Sequence, residues 1–496
     1  MPLSFYDCAS GEKIGSKKKK KNVLAAATEN VDSNLHAKIL ALKNWRKQYQ
    51  SVYRDLAQTE FFQEQNLLEI ARVGLEKISN SVRDESGRTI SQIVEAGWLG
   101  RQQVETFVIQ GSGSAVPLHL ANMATLTEAA QIWSQDQIAE PGLVSSFKFL
   151  DAHKKLPIAS DVLVALAGAA EYAPTRYWLQ IGGTVAVAAR PGAARWLSLI
   201  AQARKSGGVL LVPVLSRRLG EAKSDLSDIA IADLAGLDLV EDAEALASWV
   251  ASISRSRSER IVLGQYAYAP GAKHIIVQAV QDALANLVSQ KLAPTRIAFA
   301  WLATPTDSTV VPAAVLGSAL DKFKERSFST KLRDSLLLMK KTPGKYFESR
   351  FGEKLALIDP TSSVQGSSYA LAKRSQRWRA YLANSQGIKV SYAVSPPART
   401  HSVLSFKILN ATYRGAPSFG LKPFEVADAA IASTAVLLRD LHGPMHSRGS
   451  TSLHSENAIH GGLWRLAYRP SSVWTRATIL GWRALLKPSR LEILPK

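Results

Sequence analysis

The sequence predicts a doubly wound α/β domain built on a parallel sheet, with an N-terminal helical extension and a basic C-terminal extension. Three observations carry this. Short, wholly apolar runs such as Val162–Leu166 (VLVAL) and Val209–Val214 (VLLVPV) lack polar–apolar alternation, as strands buried on both faces do. Stretches of helical length and periodicity separate these runs. Double glycines, Gly182-Gly183 and Gly207-Gly208, stand where a helix turns back into a strand. A repeat of this kind folds through right-handed crossovers into one sheet.

Taken in order, residues 1–30 read as a disordered basic tail, and its Lys17–Lys21 run is a solvated segment or a nuclear address. Residues 31–150 read as helical: Leu35, Ile39, Leu42, Trp45 and Tyr49 recur at three- and four-residue steps, and Asn66–Ile78 repeats the pattern. Glu105–Ile109 is a short strand candidate, and Gly111-Ser112-Gly113 after it is a turn. The main domain spans 151–410. Its six strands are expected at Val162–Leu166, Thr184–Ala189, Val209–Val214, Arg260–Tyr266, Arg296–Leu302 and Ile388–Val394, all parallel in one sheet. An insertion over about 310–358 separates the fifth strand from the helix that starts near Tyr369. Residues 411–496 form an extension that covers the substrate side of the sheet or meets a partner.

Composition narrows the function classes. The chain has 496 residues, 46% of them apolar, and a single cysteine, Cys8, which excludes an internal disulfide framework. No apolar run approaches the roughly 20 residues of a membrane span, and the first 20 residues lack a secretory core. A soluble cytoplasmic protein is the expectation. The net charge of +20 is large, and residues 371–496 hold 18 Lys and Arg against 5 Asp and Glu. Such a field attracts phosphorylated cofactors, nucleic acid or acidic lipid. Gly461–Lys487 interleaves Trp464, Trp474 and Trp482 with Arg465, Arg469, Arg476 and Arg483, a mixture that suits a membrane surface or another anionic partner. No nucleic-acid motif accompanies it. His442, His446, His454 and His460 read as loop histidines, so no metal is expected, and an oligomer stays open.

The segment Gly366–Thr400 adds chemistry. Tyr369 and Lys373 are one helical turn apart, on a helix followed by a glycine, a strand, a Pro-Pro turn and Thr400. The strand ending Ala189-Arg190, the helix after it, Gly207-Gly208 and the strand ending Val212-Pro213-Val214 precede it in matching order. Over about residues 158–405 the chain thus resembles the short-chain dehydrogenase/reductase family, whose sheet is Rossmann-like. Residues 1–150 and the last ninety fall outside the resemblance.

What the resemblance implies is specific. Tyr369 would pass its phenolic proton to a substrate carbonyl, Lys373 would lower the phenol's pKa and hold the nicotinamide ribose, Thr304 would orient the carbonyl, and Asn286 would complete the catalytic set. Thr306 and Ser308 rival Thr304 for its place. Gly168 in the loop after the first strand, Arg190 at the end of the second and Thr400 after the sixth would bind the cofactor. Arg190 in place of a carboxylate implies NADP(H). The implied activity is an NAD(P)(H)-dependent oxidoreductase acting on the carbonyl or hydroxyl of a small apolar substrate, acidic ones included. The chain departs from the family in its first loop, which offers only Gly168 and carries Glu171 and Tyr172 where small residues belong. It also has Tyr266-Ala267-Tyr268 after the fourth strand. These departures favour the alternative, a catalytically silent Rossmann-type scaffold or regulatory binding protein.

Overall fold

The computed structural model describes residues 2–486, except positions 9, 63, 154, 220–225, 350–351, 363–364 and 445–451. The chain is α/β, and its centre is a seven-stranded, mostly parallel sheet. The strands are β1 (Val104–Gln110), β2 (Asp161–Leu166), β3 (Thr184–Ala188), β4 (Val209–Leu215), β5 (Arg260–Gln265), β6 (Ile297–Trp301) and, after three strands of a smaller sheet, β10 (Lys389–Ser391). They lie in the order β10-β6-β5-β2-β3-β4-β1. Counted among themselves, the six parallel strands run 3-2-1-4-5-6, the order of a doubly wound sheet whose topology reverses between β2 and β5. All six apolar runs therefore enter one sheet as parallel strands. Every residue of β2 and β6 is buried, which explains why no polar alternation marks them.

Two strands differ from expectation. β1 lies antiparallel to β4 and extends the sheet at its far edge, with Val104 opposite Leu215 and Gln110 opposite Val209. β10 is shorter than Ile388–Val394, because beyond Ser391 the ladder is kept only by a bridge between Val394 and Ala303.

Helices cover both faces. On one lie α5 (Ala243–Ser256), α6 (Lys273–Lys291) and α8 (Gly366–Ser385), packed on Val162, Val164, Leu263 and Phe299. The N-terminal helices α1 (Ser16–Thr28), α2 (Trp45–Phe62), α3 (Glu64–Ser81) and α4 (Ile90–Leu99) extend this same layer and share its core. On the other face, Leu163, Val185, Val212 and Ala300 meet the helices Leu126–Gln135, Gly142–Ala152 and Ala193–Lys205 and α10 (Val426–His442).

The expected disordered tail over residues 1–30 is corrected. Lys19 and Lys20 are buried in α1. Lys19 Nζ donates to the carbonyls of Lys77 (2.9 Å) and Ile78 (3.4 Å) in the last turn of α3, where a cation meets carbonyls that the helix leaves unsatisfied. Lys20 Nζ donates to Ser368 Oγ at 3.0 Å, at the start of α8. α3 lies so close to α8 that Gly74 has no room for a Cβ beside the ring of Trp378.

The insertion forms a small antiparallel sheet of β7 (Thr309–Pro312), β8 (Gly344–Glu348) and β9 (Lys354–Ile358), in the order β8-β9-β7, with helix Ala313–Lys324 and α7 (Phe328–Leu336). Leu355 and Leu357 of β9 pack on Ala57 and Phe61 of α2. The C-terminal part is woven into the domain and is not an appendage. α10 covers the sheet, and His460 and Arg465 clamp the buried Glu140 at 3.0 and 2.8 Å. α9 (Lys407–Gly415) and α11 (Pro470–Leu486) run antiparallel, and Gly415 and Gly481 let each backbone touch the other. Residues 487–496 of the expected extension lie outside the described residues.

Candidate functional site

At the carboxyl end of the sheet, the chain leaves β6 through Leu302-Ala303-Thr304-Pro305, and α8 begins across from it. A narrow cleft opens there. Thr304, Thr306 and Asp307 form one wall, Gln365, Tyr369 and Lys373 of α8 a second, and Tyr49 and Tyr53 of α2 a third. The cleft thus brings together Tyr369, Lys373 and Thr304.

Each of these side chains has a local reason for its place. The Thr304 hydroxyl stands beside the Tyr369 phenol and holds its pKa down. Thr304 Oγ1 accepts from the Thr306 amide (3.3 Å) and pairs with Thr306 Oγ1 (2.8 Å), so a tight turn fixes it. Lys373 Nζ donates to the carbonyl of Leu302 at 3.0 Å and to Gln376 Oε1 at 3.1 Å. Burial lowers its pKa to about 8. The phenol moves the other way. Burial raises its pKa above the usual tyrosine value, with Tyr268, Tyr413 and Asp307 adding to the rise and only Thr304 opposing it. The Lys373 ammonium, 5.8 Å from the ring centre, does not reverse the shift. Tyr369 is therefore protonated at rest, with a proton to donate to a bound oxygen.

Asn286 is not part of this cluster. It accepts from Arg379 Nη1 at 2.9 Å, beside the buried Arg379–Asp282 pair. Arg379 lies ten residues along α8 from Tyr369, about 15 Å at 1.5 Å per residue. The helix that carries Asn286 does reach the lysine, through residues sequence reasoning passed over. Gln376 Nε2 donates to Gln278 Oε1 (2.9 Å), Gln281 Nε2 donates to the same oxygen (3.1 Å), and Gln281 Oε1 accepts from the Ala267 amide (3.2 Å). His274 sits a turn away, its ring 5.5 Å from that of Tyr369, with neither ring nitrogen partnered among the described residues. Burial, with the charge of Lys373, lowers its pKa to about 3, so the imidazole is neutral. The signal was there: His274, Gln278, Gln281 and Asp282 make a polar stripe along an otherwise buried helix.

The walls of the cleft include none of Gly168, Arg190 and Thr400. Gly168 is packed tight, since a Cβ there would lie 2.7 Å from that of Ala165 and 2.9 Å from Thr175 Oγ1. Arg190 is exposed at the end of β3. Thr400 precedes the short helix His401–Leu404 and pairs its hydroxyl with Ser402 at 3.0 Å. The late histidines serve separate contacts. His442 lies 3.0 Å from Asp161, His454 binds Thr309 and Tyr381, and His446 lies outside the described residues.

The residues at the reversal between β2 and β5 do not fit a dinucleotide. The Tyr172 hydroxyl donates to the Pro396 carbonyl at 2.7 Å, and the Glu171 carboxylate accepts from the His401 amide at 2.9 Å. These two bonds stitch the loop after β2 to the segment after β10. A carboxylate at that place also repels phosphate. The helix that follows, Thr175–Gln180, is only six residues long.

No family model, no curated protein and no solved structure matches the chain.

Proposed function

We propose that the cleft takes a small carbonyl compound and moves protons on it. The observation that carries this reading is the meeting of Tyr369, Thr304 and Lys373 in one cleft. Tyr369 and Thr304 donate to the carbonyl oxygen and polarise it, as two aligned hydroxyls can. Lys373 is a base within the same walls, because burial brings its pKa to about 8 and leaves part of the population as free amine near neutral pH. The amine takes a proton from the carbon beside the carbonyl while Tyr369 gives one to the oxygen, which yields the enol with no net change in protons. Thr304, Thr306, Thr361, Ser362, Gln365 and Tyr49 also line the cleft, whose accessible surface is mostly apolar.

The test is deuterium uptake from heavy water at the α-carbon of dihydroxyacetone, followed by proton NMR. Uptake should fall roughly 100-fold or more in Tyr369→Phe, and unchanged uptake would sink the reading. A second reading, the NADP(H)-dependent oxidoreductase of the resemblance, has the site's position at the carboxyl end of β6 in its favour and the stitched loop after β2 against it. Saturable NADPH fluorescence would support it over proton transfer alone. Neither uptake nor cofactor binding would leave the scaffold reading.

A further inference from the structure

We propose that a second surface, remote in role from the cleft, docks the protein on an anionic lipid bilayer. Its centre is α7, which carries Phe328, Leu332 and Leu336 at four-residue steps and so in one stripe. These side chains are not core. They stand 84%, 57% and 78% exposed, and Leu338 just beyond them is 71% exposed. Only Asp334 of α7 is buried, where Arg326, Arg333 and Tyr468 Oη bind it. The helix is thus pinned to the protein by its polar side and turns its apolar side outward.

α11 lies beside the patch. Arg476 Nε donates to the Leu337 carbonyl at 2.7 Å, and the Arg469 amide donates to the Lys340 carbonyl at 2.7 Å, so the end of the α7 segment is fastened to the start of α11. Ile479 and Trp482 follow Arg476 by three and six residues, and both are exposed.

Charge identifies the occupant. Lys322–Lys345 holds eight Lys and Arg against two acidic residues, and one of those two is the buried Asp334. Lys324, Lys331, Arg333, Lys340, Lys341 and Lys345 stand exposed around the apolar stripe. A second copy of so basic a face would be repelled. An outward apolar stripe flanked by long basic side chains matches the boundary between lipid headgroups and acyl chains, where the apolar groups enter and the cations reach phosphate. Among the described residues no helix is long and apolar enough to cross a membrane, so the contact is with the surface.

The experiment is co-sedimentation of the full chain with phosphatidylcholine vesicles containing about 30% phosphatidylserine at about 0.1 M salt. Binding should weaken roughly tenfold or more on pure phosphatidylcholine, and by a similar factor for the Leu332→Ser/Leu336→Ser pair. Because these leucines are exposed, the pair's unfolding curve should match the parent's. Lys340→Glu/Lys341→Glu is the second variant and should remove the preference for anionic lipid. Leu99→Ser, exposed elsewhere, should change nothing. The proposal is overturned by no vesicle binding, by binding indifferent to both variant pairs, or by leucine-dependent capture on polyglutamate in place of vesicles, which would point to an acidic protein.

Discussion

Replacing Glu60 with glutamine probes the joint between the N-terminal helices and the helix that carries Tyr369. Glu60 is fully buried, and its Oε2 accepts from Arg374 Nη1 at 2.5 Å while its Oε1 accepts from Trp378 Nε1 at 2.7 Å. Burial works against the Arg374 charge, but Asp307 and Glu60 together outweigh it and keep the guanidinium protonated. Glutamine preserves shape and removes the charge. Breaking a buried pair from one side costs about 3–5 kcal/mol, since the remaining ion stays desolvated. Arg374 retains Asp307 at 2.7 Å and the Ser308 carbonyl at 2.8 Å, which places the expected loss near the lower end, about 3 kcal/mol. That corresponds to a factor of roughly 100 in the folding equilibrium. Urea unfolding followed by tryptophan fluorescence reads the change. The exposed Arg72–Glu69 pair is the internal control, and Glu69→Gln should leave the curve where it was. A loss below about 1 kcal/mol for Glu60→Gln would refute the reasoning, because that is the scale of a solvated pair.

Other outcomes follow from sites already described. Lys19 titrates near 7 in the folded chain, well below an unfolded lysine, so between those values the unfolded chain binds the extra proton and stability rises with pH. Lys19→Met should flatten urea midpoints between pH 7 and 9 by about one proton's worth of slope. If Lys373 is the base, deuterium uptake should climb as pH approaches about 8 and then level, and Lys373→Met should abolish the climb; a rate that falls over that range contradicts the assignment. Gly481→Ala should separate α9 from α11 at a cost of about 1–3 kcal/mol, detectable as faster proteolytic nicking of residues 404–420.

The central sheet was legible because strands buried on both faces leave an unmistakable imprint, as VLVAL and RIAFAWL do. β1 was visible as a strand but not as the antiparallel edge beside β4, since register across a hundred residues leaves no local trace. The Lys17–Lys21 run misled because composition assigns a charge run to solvent. The carbonyls that accept from Lys19 come from Lys77 and Ile78, and only folding brings them near. In the site, helical spacing paired Tyr369 with Lys373, and the resemblance pointed to Thr304. Tyr49 was not legible, because it looked like one more apolar position on an amphipathic helix, and Tyr53 one turn further carried no signal of its own. Asn286 was chosen for its residue type, whereas the amides that reach Lys373 are glutamines whose longer side chains cross between α6 and α8.

The Glu60–Arg374 bond spans 314 residues of sequence. At ordinary synthesis rates of about 5–20 residues per second, roughly 15–60 s separate the emergence of one partner from that of the other. Throughout that interval α2 and α3 exist without the helix that covers them, holding a carboxylate among apolar side chains with no counter-ion. The first hundred residues are thus an unfinished layer, kept waiting on the ribosome, and the cleft acquires its α8 wall last. Any pause or truncation before α8 emerges leaves an exposed, apolar helical layer, the state in which aggregation or chaperone capture begins.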